Sequence, residues 1–275
     1  MNTMKKIIIP ESELIINSDN SIFHLHIKPE QLADKVILVG DPGRVRTVAK
    51  YFDAVECEIS SREFCTVTGT YRDKRITVLS TGIGCDNIDI VVNELDALAN
   101  IDFKTRTIKE QHRTLTLVRI GTCGGLQPET PIGTFVASVK SIGFDGLLNY
   151  YAERNNVCDL ELEEAFKAHM SWSPLKGAPY VANADPSLIE QIAENDMVRG
   201  ITIACGGFYG PQGRQIRLKT QDPDQNIKIE KFRYSYCIDH ADSFNTPKVG
   251  DNFFAAMDKK GDIYIGHYYG TADTL

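Results

Sequence analysis

The sequence predicts an α/β fold in a single domain, and three observations carry that expectation. Apolar, β-branched runs of strand length alternate with helical spacings. Four strand-like runs, at residues 36–39, 75–79, 115–118 and 200–205, lead straight into glycine-rich turns. No internal repeat, low-complexity tract or proline/serine linker divides the 275 residues. In such folds ligands lie outside the carboxyl ends of the strands, so function is expected where the turns converge.

Composition narrows the function classes. A hydrophobic fraction of 42% can build a substantial core. The net charge of −7 and a pI near 5.4 argue against nucleic acid as a partner, though a local arginine cluster can still bind a small anion. Seven cysteines, an odd count without a CxxC pair, fit reduced thiols in the cytoplasm better than a disulfide framework or a zinc site. The start, Met1-Asn-Thr-Met-Lys-Lys-Ile-Ile-Ile-Pro10, is too short for a signal-peptide core, and no membrane-spanning apolar run follows. No membrane association is expected.

In chain order, Phe23-His-Leu-His-Ile27 alternates, which predicts a short strand with His24 and His26 on one face. No carboxylate or thiolate stands at metal-ligand spacing from them, so hydrogen-bonding histidines are expected rather than a metal site. Val36-Ile-Leu-Val39 reads as a strand buried on both faces. It leads through Gly40-Asp-Pro-Gly-Arg44 into a helix over 45–52. Strand, tight turn and helix point backbone N–H groups at an anion, and Arg44 at the helix start suits the dipole only if an anion joins it.

Residues 61–67 and 75–79 read as strands joined through Gly69-Thr-Tyr-Arg-Asp73. Ser80-Thr-Gly-Ile-Gly84 then opens a helix over 86–98 with Ile88, Val91, Val92, Leu95 and Leu98 as its buried stripe. Asn87 stands where a dinucleotide fingerprint needs its third glycine, which makes a Rossmann site a weak reading. A polar surface connection over 104–114 precedes the strand 115–118 and the turn Arg119-Ile-Gly-Thr-Cys-Gly-Gly-Leu126. Arg119 offers a cationic fork, Thr122 a hydroxyl, and glycines such as Gly124 a close main-chain approach, together the chemistry of an oxyanion cradle.

The second half continues with a strand over 133–142 and an acidic helix around 160–169. A helix over 186–194 is capped by Asp185, with Pro186 at its first position. The strand 200–205 runs into Gly206-Gly-Phe-Tyr-Gly-Pro-Gln-Gly-Arg214. In the tail, 251–259 is expected as a brief helix and 262–267 as a brief strand.

Taken together, Gly40-Asp-Pro-Gly-Arg44, Ser61-Arg-Glu-Phe64, Ser80-Thr-Gly-Ile-Gly84, Arg119-Ile-Gly-Thr122 and Phe208-Tyr-Gly-Pro-Gln-Gly-Arg214 resemble the nucleoside phosphorylase family, most closely its uridine phosphorylases. The resemblance spans about residues 23–234 in the family's order. It implies a three-layer α/β/α sandwich around a mixed central sheet, and phosphorolysis of a nucleoside to free base and ribose 1-phosphate. No cofactor or metal is implied; inorganic phosphate is the co-substrate. By that likeness Gly40, Arg44, Arg119 and Thr122 hold phosphate, Gly124 lines the substrate site, and Arg62 joins from a neighbouring subunit. His24 reaches across the same interface to the ribose 5′-hydroxyl, so a homo-oligomer built from dimers is implied. Gln212 and Arg214 mark a pyrimidine base, and Phe208 stacks against base or sugar.

The chain departs from the family after Tyr234. The Met-Glu-Met-Glu-like segment that grips the ribose hydroxyls is missing, as are the apolar strand and closing helix that follow it, and no glutamate occurs beyond Glu230. Asp239, Asp242 or Asp251 stands as a substitute acceptor, or the ribose grip is lost and activity is impaired. A purine or broad-specificity phosphorylase, a nucleosidase using water, and a non-catalytic nucleoside binder remain as alternatives.

Overall fold

The computed structural model describes residues 7–127, 130–193 and 197–232, together with the backbone of three strands in the tail. The chain forms two compact units, Met1–Ile120 with Met257–Ile263, and Gly121–Ala256 with Tyr264–Leu275.

The first unit is built on strand β1 (Lys35–Val39), whose Val36, Leu38 and Val39 are buried. Helix α1 (Pro42–Ala49) follows, three residues earlier than the apolar spacing suggested, because Asp41 caps it from Gly43 N at 2.7 Å and Pro42 supplies a preset φ at its first position. Strands β2 (Ala54–Ser61), β3 (Phe64–Tyr71) and β4 (Lys74–Ser80) form an antiparallel meander. The expected strand over 61–67 and turn over 69–73 are displaced. Ser61 ends β2, Arg62 (φ 54°) stands in the first hairpin turn, and Arg72 (φ 47°) and Asp73 (φ 61°) make the second. Gly69 lies inside β3, where a Cβ would come within 2.3 Å of the Ala54 carbonyl, so it is glycine for close packing and not for a turn.

Helix α2 (Cys85–Asn100) buries the five predicted stripe residues, each worth about 1.5–3 kcal/mol on transfer from water. Strands β5 (Ile101–Asp102) and β6 (Thr107–Ile108) pair as a small hairpin in the polar connection before β7 (Thr116–Arg119). The sheet order is β2-β3-β4-β1-β7, with β1 parallel to both β4 and β7. The segment at 23–27 is not a strand. It is a turn, closed by Ile22 N to Ile27 O at 2.9 Å, because a carboxylate from α2 draws its N–H groups inward.

The second unit centres on a four-stranded sheet that begins with β8 (Phe135–Gly143). Helix α3 (Leu160–Met170) is capped by Asp159, which accepts from Leu162 N at 3.0 Å. Strand β9 (Tyr180–Asn183) is followed by α4 (Pro186–Ile192), opened by Asp185 and Pro186 as the sequence predicts. Strand β10 (Met197–Ala204), helix α5 (Gln225–Lys231) and strand β11 (Ser243–Asn245) complete the order β11-β10-β8-β9. β10 is parallel to β8 and β11, and β9 is antiparallel to β8. The core gathers Ile142, Phe166, Val181, Ile203 and Phe232, with Phe208 packed on its margin.

In the tail, β12 (Gly250–Met257) and β13 (Ile263–Gly270) pair as a two-stranded sheet. The helix expected over 251–259 is therefore replaced by a strand, in keeping with the β-forming Ile-Tyr-Ile and Tyr-Tyr of its partner. Asp239 and Asp242 lie outside the described residues, as does the side chain of Asp251. Among the described residues no helix is long and apolar enough to cross a membrane.

Two polar clusters pin the second unit. Arg154 meets Glu163 through two hydrogen bonds, at 2.7 and 3.0 Å, and the Glu163 side chain is 5% exposed while also accepting from Val181 N. Removing the guanidinium strands a buried carboxylate, so Arg154→Met should cost roughly 3–5 kcal/mol in urea denaturation. Asp159 is the second. Burial raises its pKa, but the Lys140 ammonium at 2.9 Å and the Leu162 N–H outweigh that and hold it below 3.8. The unfolded chain binds the proton more readily, so this stabilisation is complete above pH 3.8 and fades as pH falls through the lower folded value. Asp159→Asn keeps the cap and removes the charge. It should lose up to about 1 kcal/mol at neutral pH, as expected of a partly solvated ion pair, with the deficit shrinking in acid, as read by denaturation from pH 7 downward.

Candidate active site

In the first unit, parallel pairing sets three strand ends at one edge. Val39 is opposite Ser80 and Leu38 opposite Arg119. The pairing runs on past the strands, with Ile120 N to Leu38 O at 2.9 Å, Thr81 N to Val39 O at 2.8 Å and Gly82 N to Gly40 O at 3.0 Å. The turns at Gly40, Thr81–Gly82 and Arg119 thus leave the sheet side by side, at a point where the connection from β1 runs toward the β2 edge and that from β4 toward the β7 edge.

Arg44 stands in the first turn of α1 and is half-buried, and Arg119 is 9% exposed with its Nη1 donating to the Ile120 carbonyl. Gly82 has φ +68°, and a Cβ there would lie 2.7 Å from Glu63 Cγ and from Asn87 Nδ2. Asn87 closes this turn by donating to Ile83 O at 2.9 Å, which accounts for an asparagine where a dinucleotide loop has glycine.

His24 and Arg62, remote in sequence, are brought near one another. The Arg62 guanidinium lies 5.9 Å from the Phe23 ring centroid, and the Phe23 ring meets the His24 ring edge to face at 4.6 Å. His24 Nδ1 is 2.6 Å from Glu94 Oε1 on α2. His26 does not share its surface; it contacts Asn17 Nδ2 at 3.2 Å and Asp19 at 3.7 Å.

In the second unit, Thr122 and Gly124 are half-buried. Between them burial pushes the Cys123 thiol up to about 11, so it is a neutral thiol and not a nucleophile at physiological pH. The residues after β10 form a compact polar constellation. The Arg214 guanidinium stacks 4.4 Å from the Phe208 centroid, and its Nε and Nη2 donate to Gln212 Oε1 at 3.2 and 3.1 Å. Burial lowers the Arg214 pKa from its ordinary value, but a guanidinium remains charged.

Gln212 is 4% exposed, and its Nε2 is buried without a hydrogen-bond partner among the described residues. The loop is clamped by α5. Gln225 Nε2 donates to Pro211 O at 2.7 Å and Asn226 Nδ2 to Gln212 O at 3.1 Å, while Gly213 turns the chain at φ +70°. The sequence pattern singled out Phe208, Gln212 and Arg214 but not their clamps Gln225 and Asn226, nor Glu94. These act over long separations, and only the polar face of α2 and the start of α5 hinted at them.

Three similarities place the chain. It is 33% identical over 138 residues to uridine phosphorylase of Treponema pallidum, covering 50% of this chain and 48% of that protein. It is 25% identical over 187 residues to the DeoD-type purine nucleoside phosphorylase of Geobacillus kaustophilus, covering 68% of this chain and 64% of that one. The crystal structure of a Trypanosoma brucei nucleoside phosphorylase that shows uridine phosphorylase activity superimposes with a TM-score of 0.69 at 26% identity, over 80% of this chain and 78% of that one. The chain spans between 45% and 64% of the length of the curated relatives it matches first. Residues 34–228, well over half of the chain, match the model of the Phosphorylase superfamily, and the mixed α/β fold agrees with it, so the chain belongs to that superfamily.

Proposed function

We propose that the chain catalyses phosphorolysis of a pyrimidine nucleoside, uridine in the first instance, releasing uracil and ribose 1-phosphate in nucleoside salvage. The observation that carries this reading is the Gln212 amide, almost wholly buried, whose Nε2 has no partner among the described residues and which stands beside a charged Arg214. A buried donor without a partner marks a position where a ligand acceptor belongs. Uracil offers O2 to such an N–H, N3–H to the amide oxygen, and O4 to the guanidinium.

On this reading Gly40, Arg44, Arg119 and Thr122 hold the phosphate dianion, with Gly124 lining the substrate site and Arg62 joining from a second subunit. Phosphate oxygen forms a bond to C1′ as the C1′–N1 bond breaks, and the bonding pair leaves with the base. The sugar turns oxocarbenium-like beside the dianion, while the negative charge gathering on the pyrimidine is met by Gln212 and Arg214, donors already in place before the reaction. Phe208 supplies an aromatic face, and His24 reaches the ribose 5′-hydroxyl of a partner subunit. Residues 1–275 then work as one catalytic domain in a cytoplasmic homo-oligomer built from dimers.

Similarity to purine nucleoside phosphorylases supports a second reading, in which a purine nucleoside is the substrate. The amide and guanidinium favour the pyrimidine, since a purine leaving group calls for an acid at N7. The missing Met-Glu-Met-Glu-like segment supports a third, an impaired enzyme that binds without turnover.

Incubating the purified chain with uridine should release uracil only when phosphate is present. Release in water alone would mean a nucleosidase, faster cleavage of inosine a purine enzyme, and calorimetric binding of uracil without turnover the impaired form. Arg119→Ala should raise the KM for phosphate by roughly 10–100-fold and leave uracil binding nearly intact, and Gln212→Ala should do the reverse. Equal, small effects of both substitutions in a phosphate titration would contradict the assignment.

A further inference from the structure

Glu94 projects from the middle of α2, between the buried Val92 and Leu95, and its side chain is 12% exposed. Both of its oxygens serve the turn that carries His24. Oε1 and Oε2 accept from His24 N at 3.1 Å each, Oε2 accepts from Leu25 N at 2.9 Å, and Oε1 lies 2.6 Å from His24 Nδ1. An ionised carboxylate only accepts hydrogen bonds, so Nδ1 is the ring nitrogen that must carry a proton. The other nitrogen, Nε2, belongs to a side chain that is 27% exposed, and the Phe23 ring at 73° to the imidazole fixes its plane.

We propose that Glu94 is the positioning residue of His24, locking the imidazole proton on Nδ1 and presenting Nε2 as the atom that accepts the hydrogen of the nucleoside's 5′-hydroxyl. This rests on the phosphorolysis reading for the identity of the hydroxyl, while the locked ring does not. The alternative tautomer would present an N–H where an acceptor is needed, and a free ring would sample both. Because the carboxylate grows from a packed helix, the orientation of the ring is inherited from a rigid element even though His24 itself is in a turn. The same contacts gather three donors on one side chain. Glutamine at this position has a single acceptor oxygen and brings an NH₂ group toward them, so Glu94→Gln releases the ring without changing its size.

Nitrogen-15 correlation spectra of the wild-type protein should show the neutral His24 ring protonated on Nδ1, with Nε2 as the bare nitrogen. In Glu94→Gln the neutral ring should populate the Nε2–H form. A wild-type neutral ring protonated on Nε2 would overturn the proposal whatever the activity. For function, the ratio of kcat/KM for uridine over 5′-deoxyuridine should fall about tenfold in Glu94→Gln, the lower end of what loss of an outer partner costs a metal-bound histidine. In a His24→Ala background the same substitution should leave that ratio unchanged; an equal fall there would show that Glu94 acts through folding alone and would sink the idea. A locked ring in a protein that cleaves no uridine would refute the phosphorolysis and leave the Nδ1 assignment standing.

Discussion

Parallel pairing of β1 with both β4 and β7 is the constraint on which the first unit depends. Parallel strands put like ends together, so every turn that leaves these three does so at one edge. The hydrogen bonds that continue the ladder through Thr81, Gly82 and Ile120 carry the register into the turns themselves. Gly40 and Arg119 are therefore held in relation by backbone geometry, and Arg44 follows within one helical turn of Gly40. A cationic edge built this way owes little to side-chain packing and much to strand order.

The loop after β10 is organised by a different principle. Its order comes from side-chain amides, with Gln225 and Asn226 on α5 bonding to the carbonyls of Pro211 and Gln212, and with Arg214 holding the Gln212 oxygen. Fixing the oxygen of an amide also fixes which way its nitrogen points. Gln212 is thus set in one orientation, and its Nε2 finds no hydrogen-bond partner among the described residues. Such a residue lowers stability when empty and rewards a ligand that supplies the matching acceptor.

Much of this was legible in the residues. The buried stripe of α2, the Asp185–Pro186 helix start, the β1 strand and the Gly-ended turns all follow from local rules of spacing and capping. So did the grouping of Phe208, Gln212 and Arg214, because they crowd one glycine-rich loop. The misreadings share a cause. The turn at 23–27 alternates like a strand but obeys Glu94, seventy residues away along the chain. Strand β2 carries exposed, charged residues on an edge and gave little apolar signal. Gly69 looked like a turn residue because nothing local reveals a carbonyl pressing on its α-carbon. Tertiary demands of this kind leave no periodic trace.

The most direct measurement of the central claim is a crystal structure with phosphate and uracil bound together. The account predicts a phosphate held by both Arg44 and Arg119 at the glycine-ended strand tips, and uracil with O2 on Gln212 Nε2 and O4 on Arg214. Phosphate bound away from those two arginines, or a pyrimidine that leaves the Gln212 amide without a partner, would contradict it.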